Sequence, residues 1–216
     1  MVYIFNDHPS QVNLFVAELR DTIIQKDAMR FRKNIERIGT MMAYEISKTL
    51  AYKEIATETP LGIAHNRVPA HPPVLATILR AGLPMHQGML QVFDAAPSAF
   101  VAAYRKHHKD GTFEIQVEYV SCPDLSGQTL IIADPMLATG ASLVHAVKAL
   151  QQYGTPSQIH ICSAIASVEG LNYVRRMLPD AQIWLGALDQ ELTAKSYIVP
   201  GLGDAGDLSF GMKVQD

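Results

Sequence analysis

Cysteine is scarce in this chain. Its 216 residues include only Cys122 and Cys162, which form no C-x-x-C pair. That excludes a disulfide scaffold and a zinc ribbon, and the natural compartment is a reducing, cytosolic one. Each cysteine reads as a small hydrophobe in or near a strand. No apolar run approaches the length of a membrane span. The opening M-V-Y-I-F-N-D lacks a basic n-region and meets Asp7 early, so no secretory signal is expected. Basic residues are outnumbered, 18 Lys and Arg against 21 Asp and Glu for a net charge of -3. This excludes a nucleic-acid footprint and a polybasic membrane patch. Also lacking are G-x-x-x-x-G-K-[ST], H-E-x-x-H and a G-x-S-x-G elbow before Ser142. A P-loop kinase, a zincin and a hydrolase triad are thereby disfavoured. The eight histidines are scattered, and His107 and His108 read as solvated loop residues.

What is present is apolar residue, 48% of the chain, ample for a core and for one domain spanning residues 1–216. Residues 2–5 suit a short strand. Ser10 is a candidate N-cap for a helix over 11–20, with Val12, Phe15, Val16 and Leu19 on one face. A longer helix follows Asp27, lined by Phe31, Ile35, Ile38, Met42 and Ile46, a stripe that suits a core or a subunit interface. Residues 54–59 and 62–68 suit two strands around Pro60, Leu61 and Gly62, giving a hairpin arm over 52–70 that would embrace a second subunit.

From residue 74 onward strands and helices alternate. Strands are expected over 74–79, 98–104, 129–133, 158–166 and 181–188, with helices over 83–93, 143–153 and 169–177. A more exposed strand is expected over 112–120, and polar loops over 105–111 and 123–128. The pattern defines an α/β fold, an open and mostly parallel five-stranded sheet flanked by helices, with N-terminal helices and the hairpin arm added. Ligands of such sheets bind at the carboxyl ends of the strands.

The stretch Thr129 to Ser142, T-L-I-I-A-D-P-M-L-A-T-G-A-S, carries the clearest chemistry. Leu130 to Ala133 is an apolar run suited to burial on both faces, and Asp134 ends it. Pro135, Met136, Leu137 and the small residues Ala138, Thr139, Gly140, Ala141 and Ser142 lead to a helix start. Free amides there form an anion site. A carboxylate just before it suits a sugar hydroxyl or a metal beside a phosphate. Arg80 ends an apolar strand, where it either pairs internally or meets an anion. Arg105 ends a neighbouring strand in the same way. Two arginines and a helix start at one sheet edge describe a site for a multiply charged anion such as a diphosphate. Gly201, Gly203 and Gly206 match G-x-G-x-x-G, but only ten residues follow Gly206, so the dinucleotide reading fails. A bare-backbone loop approaching a small planar ligand is the better reading, with Asp204 and Asp207 as acceptors.

These residues resemble the uracil phosphoribosyltransferase family. Asp134 to Ser142 match its D-P-M-L-A-T-G-G-S with Ala141 at the second glycine, and Ile78 to Gly82 match I-L-R-A-G. Ala103 to Arg105 stand where the family has M-Y-R. Tyr197 to Asp207 match Y-I-x-P-G-L-G-D-A-G-D, and Arg30 to Arg32 and Tyr44–Glu45 match the first long helix. The phosphate loop alone indicates the phosphoribosyltransferase class; the tail points to uracil. The Lys106 to Lys109 stretch departs from the acidic and polar family pattern.

The resemblance implies a type I phosphoribosyltransferase fold and transfer of ribose 5-phosphate from 5-phospho-α-D-ribose 1-diphosphate (PRPP) to N1 of uracil. The products would be UMP and diphosphate, in cytoplasmic pyrimidine salvage. It implies PRPP contacts from Arg80, Arg105, Pro135 to Ser142 and Asp204, with Asp134 holding the ribose hydroxyls. Asp134, Arg105 and Arg80 would be the catalytic set. Ile198, Gly203, Asp204 and Ala205, in a base-binding segment over 197–216, would read uracil. Mg2+ would be held through the diphosphate rather than by a protein cluster. A homodimer or higher homo-oligomer is implied, and GTP is an effector in some members; no nucleic acid or membrane partner is expected. The competing readings are a non-catalytic PRPP- or UMP-sensing regulator on the same fold and a phosphoribosyltransferase for another base.

Overall fold

The computed structural model describes residues 1–107 and 113–213; for 103–107 and 113–117 the backbone alone is described. Strand β1 (Val2–Ile4) precedes helices α1 (Gln11–Arg20) and α2 (Ala28–Ser47). The Asp27 carboxylate accepts from the Met29 and Arg30 amides, satisfying donors that the start of α2 leaves free. Phe31, Ile35, Ile38, Met42 and Ile46 are buried along one face of α2, as their spacing predicts. Strands β2 (Tyr52–Thr59) and β3 (Gly62–Pro69) form the hairpin, with Thr59 opposite Gly62 and nearly every residue exposed.

The α/β part follows as β4 (Val74–Leu79), α3 (Leu83–Leu90), β5 (Ser98–His107), β6 (Phe113–Ser121), β7 (Thr129–Ala133), β8 (Met136–Leu137), α4 (Ala141–Leu150), β9 (Gln158–Ser167), α5 (Val168–Met177) and β10 (Gln182–Asp189). Two short strands, β11 (Glu191–Leu192) and β12 (Ile198–Val199), pair with each other, and α6 (Ala205–Phe210) ends the described chain.

The main sheet runs β1-β10-β9-β7-β4-β5-β6, and β8 adds to β9. The five strands expected from sequence are its contiguous centre, β10 to β5, all parallel. The sheet is wider than five because β1 joins β10 in parallel and β6 joins β5 antiparallel. Several boundaries also differ. Helix α3 stops at Leu90, where the Gln91 amide turns to the Gly88 carbonyl in a tighter bond. Helix α4 begins at Ala141, two residues early, and yields to a 3₁₀ turn at Gln151–Tyr153. Residues 105–107, read as loop from their polarity, are strand, because backbone pairing with residues 113–115 outweighs side-chain character. The remainder of that loop, Lys109 included, lies outside the described residues.

Helices cover both faces, and β7 shows why its run is continuously apolar. Ile131 and Ala133 pack with Phe31, Ile35, Met85 and Met89 from α2 and α3. Leu130 and Ile132 pack with Val144, Val147, Leu171 and Val174 from α4 and α5. The crossovers from β4 and β7 leave toward opposite strands, through helices on opposite faces. The chain therefore opens a crevice between the carboxyl ends of β4 and β7, the usual ligand position in such sheets.

Candidate active site at the carboxyl edge of the sheet

Each central strand delivers a polar residue to this edge. Thr77 of β4 stands opposite Ala133 of β7, and its hydroxyl donates to the Ala133 carbonyl at 3.2 Å. Three residues on lies Arg80; one residue on lies Asp134. Strand β9 ends at Ser167 and β10 at Asp189. Strand β5 runs past the end of β4, pairing with β6, so the backbone at Arg105 lies beyond the crevice floor; its side chain lies outside the described residues.

Asp134 is partly buried, and its amide donates to the Cys162 carbonyl at 3.0 Å. Its carboxylate accepts one long bond from the Met136 amide, 3.4 Å. Desolvation pushes its pKa up to about 7, against the smaller stabilisation from Met136. A carboxylate held this way gains from any cationic or hydroxyl-bearing ligand.

After Asp134 the chain does not leave the sheet at once. Met136 and Leu137 pair with Ile165 and Ala166 as β8, and Ser167 donates to the Ala138 carbonyl at 2.6 Å while capping α5. The loop then turns at Gly140, the N-cap of α4, with φ 78°. A Cβ there would lie 2.8 Å from Val174 Cγ2 and 3.0 Å from the Gly170 carbonyl, so glycine is required for conformation and for space. Ala141 is the first residue of α4 and has negative φ, so its methyl group carries no backbone strain. Ala138, Thr139, Ala141 and Ser142 are partly exposed around the helix start. Thr139, Ala141, Glu169, Asn172, Tyr173 and Arg176 line an adjoining cleft of 420 Å³.

The tail meets the β4 turn. Arg80 is exposed; its Nη2 lies 3.3 Å from Asp207 Oδ1 and donates to the Gly211 carbonyl at 3.3 Å. The internal pairing is thus present, but long and solvent-facing, which leaves the guanidinium available to a stronger anion. Ile198 and Ala205 are buried, and Gly203 is exposed with φ 95°. Asp204 accepts from the Asp207 amide at 3.0 Å and so starts α6. Arg32 of α2 donates to the Ser209 carbonyl at 2.6 Å and lies over the Phe210 ring, tying α6 to the first long helix.

The sequence reading did not find Arg20, Asp189, Ser167 or Gly170. Asp189 carried a signal, since W-L-G-A-L-D is an apolar strand ending in a carboxylate, like the run before Asp134. Arg20 carried none; its partner is 169 residues away.

The fold is that of the type I phosphoribosyltransferases. A solved hypoxanthine phosphoribosyltransferase from Staphylococcus aureus shares the fold with a TM-score of 0.51 at 15% identity, over 74% of this chain and 76% of its own. The match to the AQ2163 protein from Aquifex aeolicus is far closer, with a TM-score of 0.87 at 30% identity over 100% of both chains. The family model for uracil phosphoribosyltransferase matches residues 6–212. A curated uracil phosphoribosyltransferase from Porphyromonas gingivalis is 52% identical over 206 residues, 95% of each chain. The chain belongs to the uracil phosphoribosyltransferase family.

Proposed function

We propose that this chain is a phosphoribosyltransferase that joins ribose 5-phosphate from PRPP to N1 of uracil, releasing diphosphate and forming UMP. The observation that carries the reading is the meeting of two family-matching segments at one sheet edge: Arg80 of the β4 turn beside Asp207 of the tail, one strand from Asp134 and its loop.

In this reading the amides at the start of α4, with the Thr139 and Ser142 hydroxyls, bind the 5-phosphate. Asp134 binds the ribose hydroxyls and stabilises the positive charge that develops as the C1–oxygen bond loosens. Arg80 exchanges its long contact with Asp207 for the diphosphate, and Arg105 assists from β5. Asp134, Asp204 and Asp207 are singly placed carboxylates, a donor set suited to Mg2+ bound chiefly through phosphates and water. When bound, Mg2+ neutralises the leaving diphosphate. Backbone groups of Gly203 and Ala205, beside Ile198 and Asp204, read the uracil edge; an amino group in place of a carbonyl leaves buried groups mispaired.

We take residues 1–216 as one domain and the exposed arm formed by β2 and β3 as a clasp for a second copy. Among the described residues no helix is long and apolar enough to cross a membrane.

Incubation with labelled uracil, PRPP and Mg2+ tests the reading directly. UMP formation, with hypoxanthine and cytosine left unconverted, supports it. Binding of PRPP without turnover would favour the regulator, and turnover of hypoxanthine would refute the reading of the tail.

A further inference from the structure

Among the described residues of the tail, Gly201 alone has both its amide and its carbonyl bound by one ion pair. The Arg20 guanidinium meets the Asp189 carboxylate through two bonds of 2.7 Å each. The same pair captures Gly201: its amide donates to Asp189 Oδ2 at 3.0 Å, and its carbonyl accepts from Arg20 Nη1 at 3.0 Å. Asp189 is buried and Arg20 partly so, at 6% and 23% side-chain exposure. Arg20 is the last residue of α1 and Asp189 the last of β10, so the pair joins the N-terminal layer, the sheet edge and the tail.

We infer that Arg20 and Asp189 are positioning residues for base binding, acting through Gly201. The inference rests on the reading of the tail as the uracil-binding segment. Gly201 lies two residues before Gly203 and has φ 60°. Ile198 and Leu202 bury apolar side chains on either side of it, but apolar contact does not fix the rotation of a peptide plane. Backbone groups discriminate a base only if their directions are fixed before it arrives. A bidentate, largely desolvated pair supplies that fixed direction. It contributes little net stability compared with a well-packed apolar pair, so its specific consequence is loop geometry.

Steady-state kinetics on the full chain, run well below the unfolding temperature, separate the possibilities. In Asp189→Asn, which keeps the shape but not the charge, KM for uracil rises about tenfold or more, while KM for PRPP stays within about twofold. In Arg20→Ala the same split appears, and millimolar guanidinium, but not methylammonium, restores part of the uracil affinity. Gly203→Ala serves as the control on the tail itself and raises KM for uracil. If Gly203→Ala does so and Asp189→Asn does not, the positioning role is wrong and the tail reading stands. If Gly203→Ala leaves uracil unaffected, the tail reading falls and this inference with it. Equal rises in both KM values of Asp189→Asn would show general distortion and overturn the inference. Should Arg20→Ala fail to fold, the isosteric Asp189→Asn decides alone.

Discussion

Asp134→Asn should make the protein more stable and much less active, and the stability gain should depend on pH. The Asp134 carboxyl has an ordinary value of 3.8 and is raised to about 7 in the folded protein by desolvation. A rise of about three units corresponds to a ceiling of about 4 kcal/mol against the charged form. Asp134 retains some contact with solvent, so a gain of about 2–3 kcal/mol at pH 8 is expected. The sign follows from proton counting. Between pH 3.8 and 7 the native state binds more protons than the unfolded state, so this group's contribution falls as pH rises through that window and is level above it. Asparagine does not titrate and can still accept from Met136. The variant's advantage should therefore be near zero at pH 4 and complete at pH 8. Urea unfolding at both values, with unchanged m, measures it. An equal advantage at both pH values, or a less stable variant at pH 8, would refute the claim that burial disfavours the charged Asp134 carboxylate. In the same preparation UMP formation should fall by about 10²-fold or more. Near-normal turnover would remove Asp134 from the catalytic set.

Asp134→Asn also unmasks His160, which is fully buried, accepts from Trp184 Nε1 at 3.1 Å, and is lowered by burial from 6.5 to about 4. A buried neutral histidine contributes stability that is lost as pH falls below 6.5, so the variant should gain about 3 kcal/mol from pH 4.5 to 7, whereas the opposing Asp134 slope leaves the parent nearly flat; a flat variant refutes this. Gly140→Ala forces a methyl group against Val174 and the Gly170 carbonyl at positive φ, and should cost about 2–4 kcal/mol in urea unfolding and raise KM for PRPP. Ala141→Gly, which supplies the usual family residue, should change stability by no more than about 1 kcal/mol and turnover by less than about twofold. Arg105→Ala should lower kcat by about 10²-fold with the unfolding temperature unchanged.

Legibility of this chain from sequence followed the range of the interactions involved. The five central strands were readable because each is a local apolar run, and β7 could be recognised as buried on both faces from Leu130 to Ala133 alone. The ends of the sheet were harder. Strand β1 has three residues, and residues 105–107 are held in β5 by pairing with 113–115, information that lies in another segment. At the site, Asp134 and the loop to Ser142 could be read because strand, carboxylate, loop and helix are consecutive. Arg80 and the tail were each visible, but their meeting across 127 residues was not. Arg20 is the extreme case: its guanidinium is held by Asp189 and Gly201, and nothing in its sequence neighbourhood distinguishes it from a solvated helix-end arginine.

The candidate site also holds groups that an anionic sugar would stabilise. Burial raises the Asp134 carboxyl above its ordinary value, Gly140 holds a left-handed turn, and Arg80 makes long, exposed contacts to Asp207 and the Gly211 carbonyl. If the proposed function holds, the desolvated Asp134 carboxyl and the long contacts of Arg80 both improve when a sugar bearing two anionic groups binds. On that reading, hydroxyls and developing positive charge would relieve Asp134, a phosphate would take the free amides at the start of α4, and a diphosphate would give Arg80 a stronger partner. Ala141 sits on the helical side of this turn, at negative φ, where its methyl group carries no backbone strain.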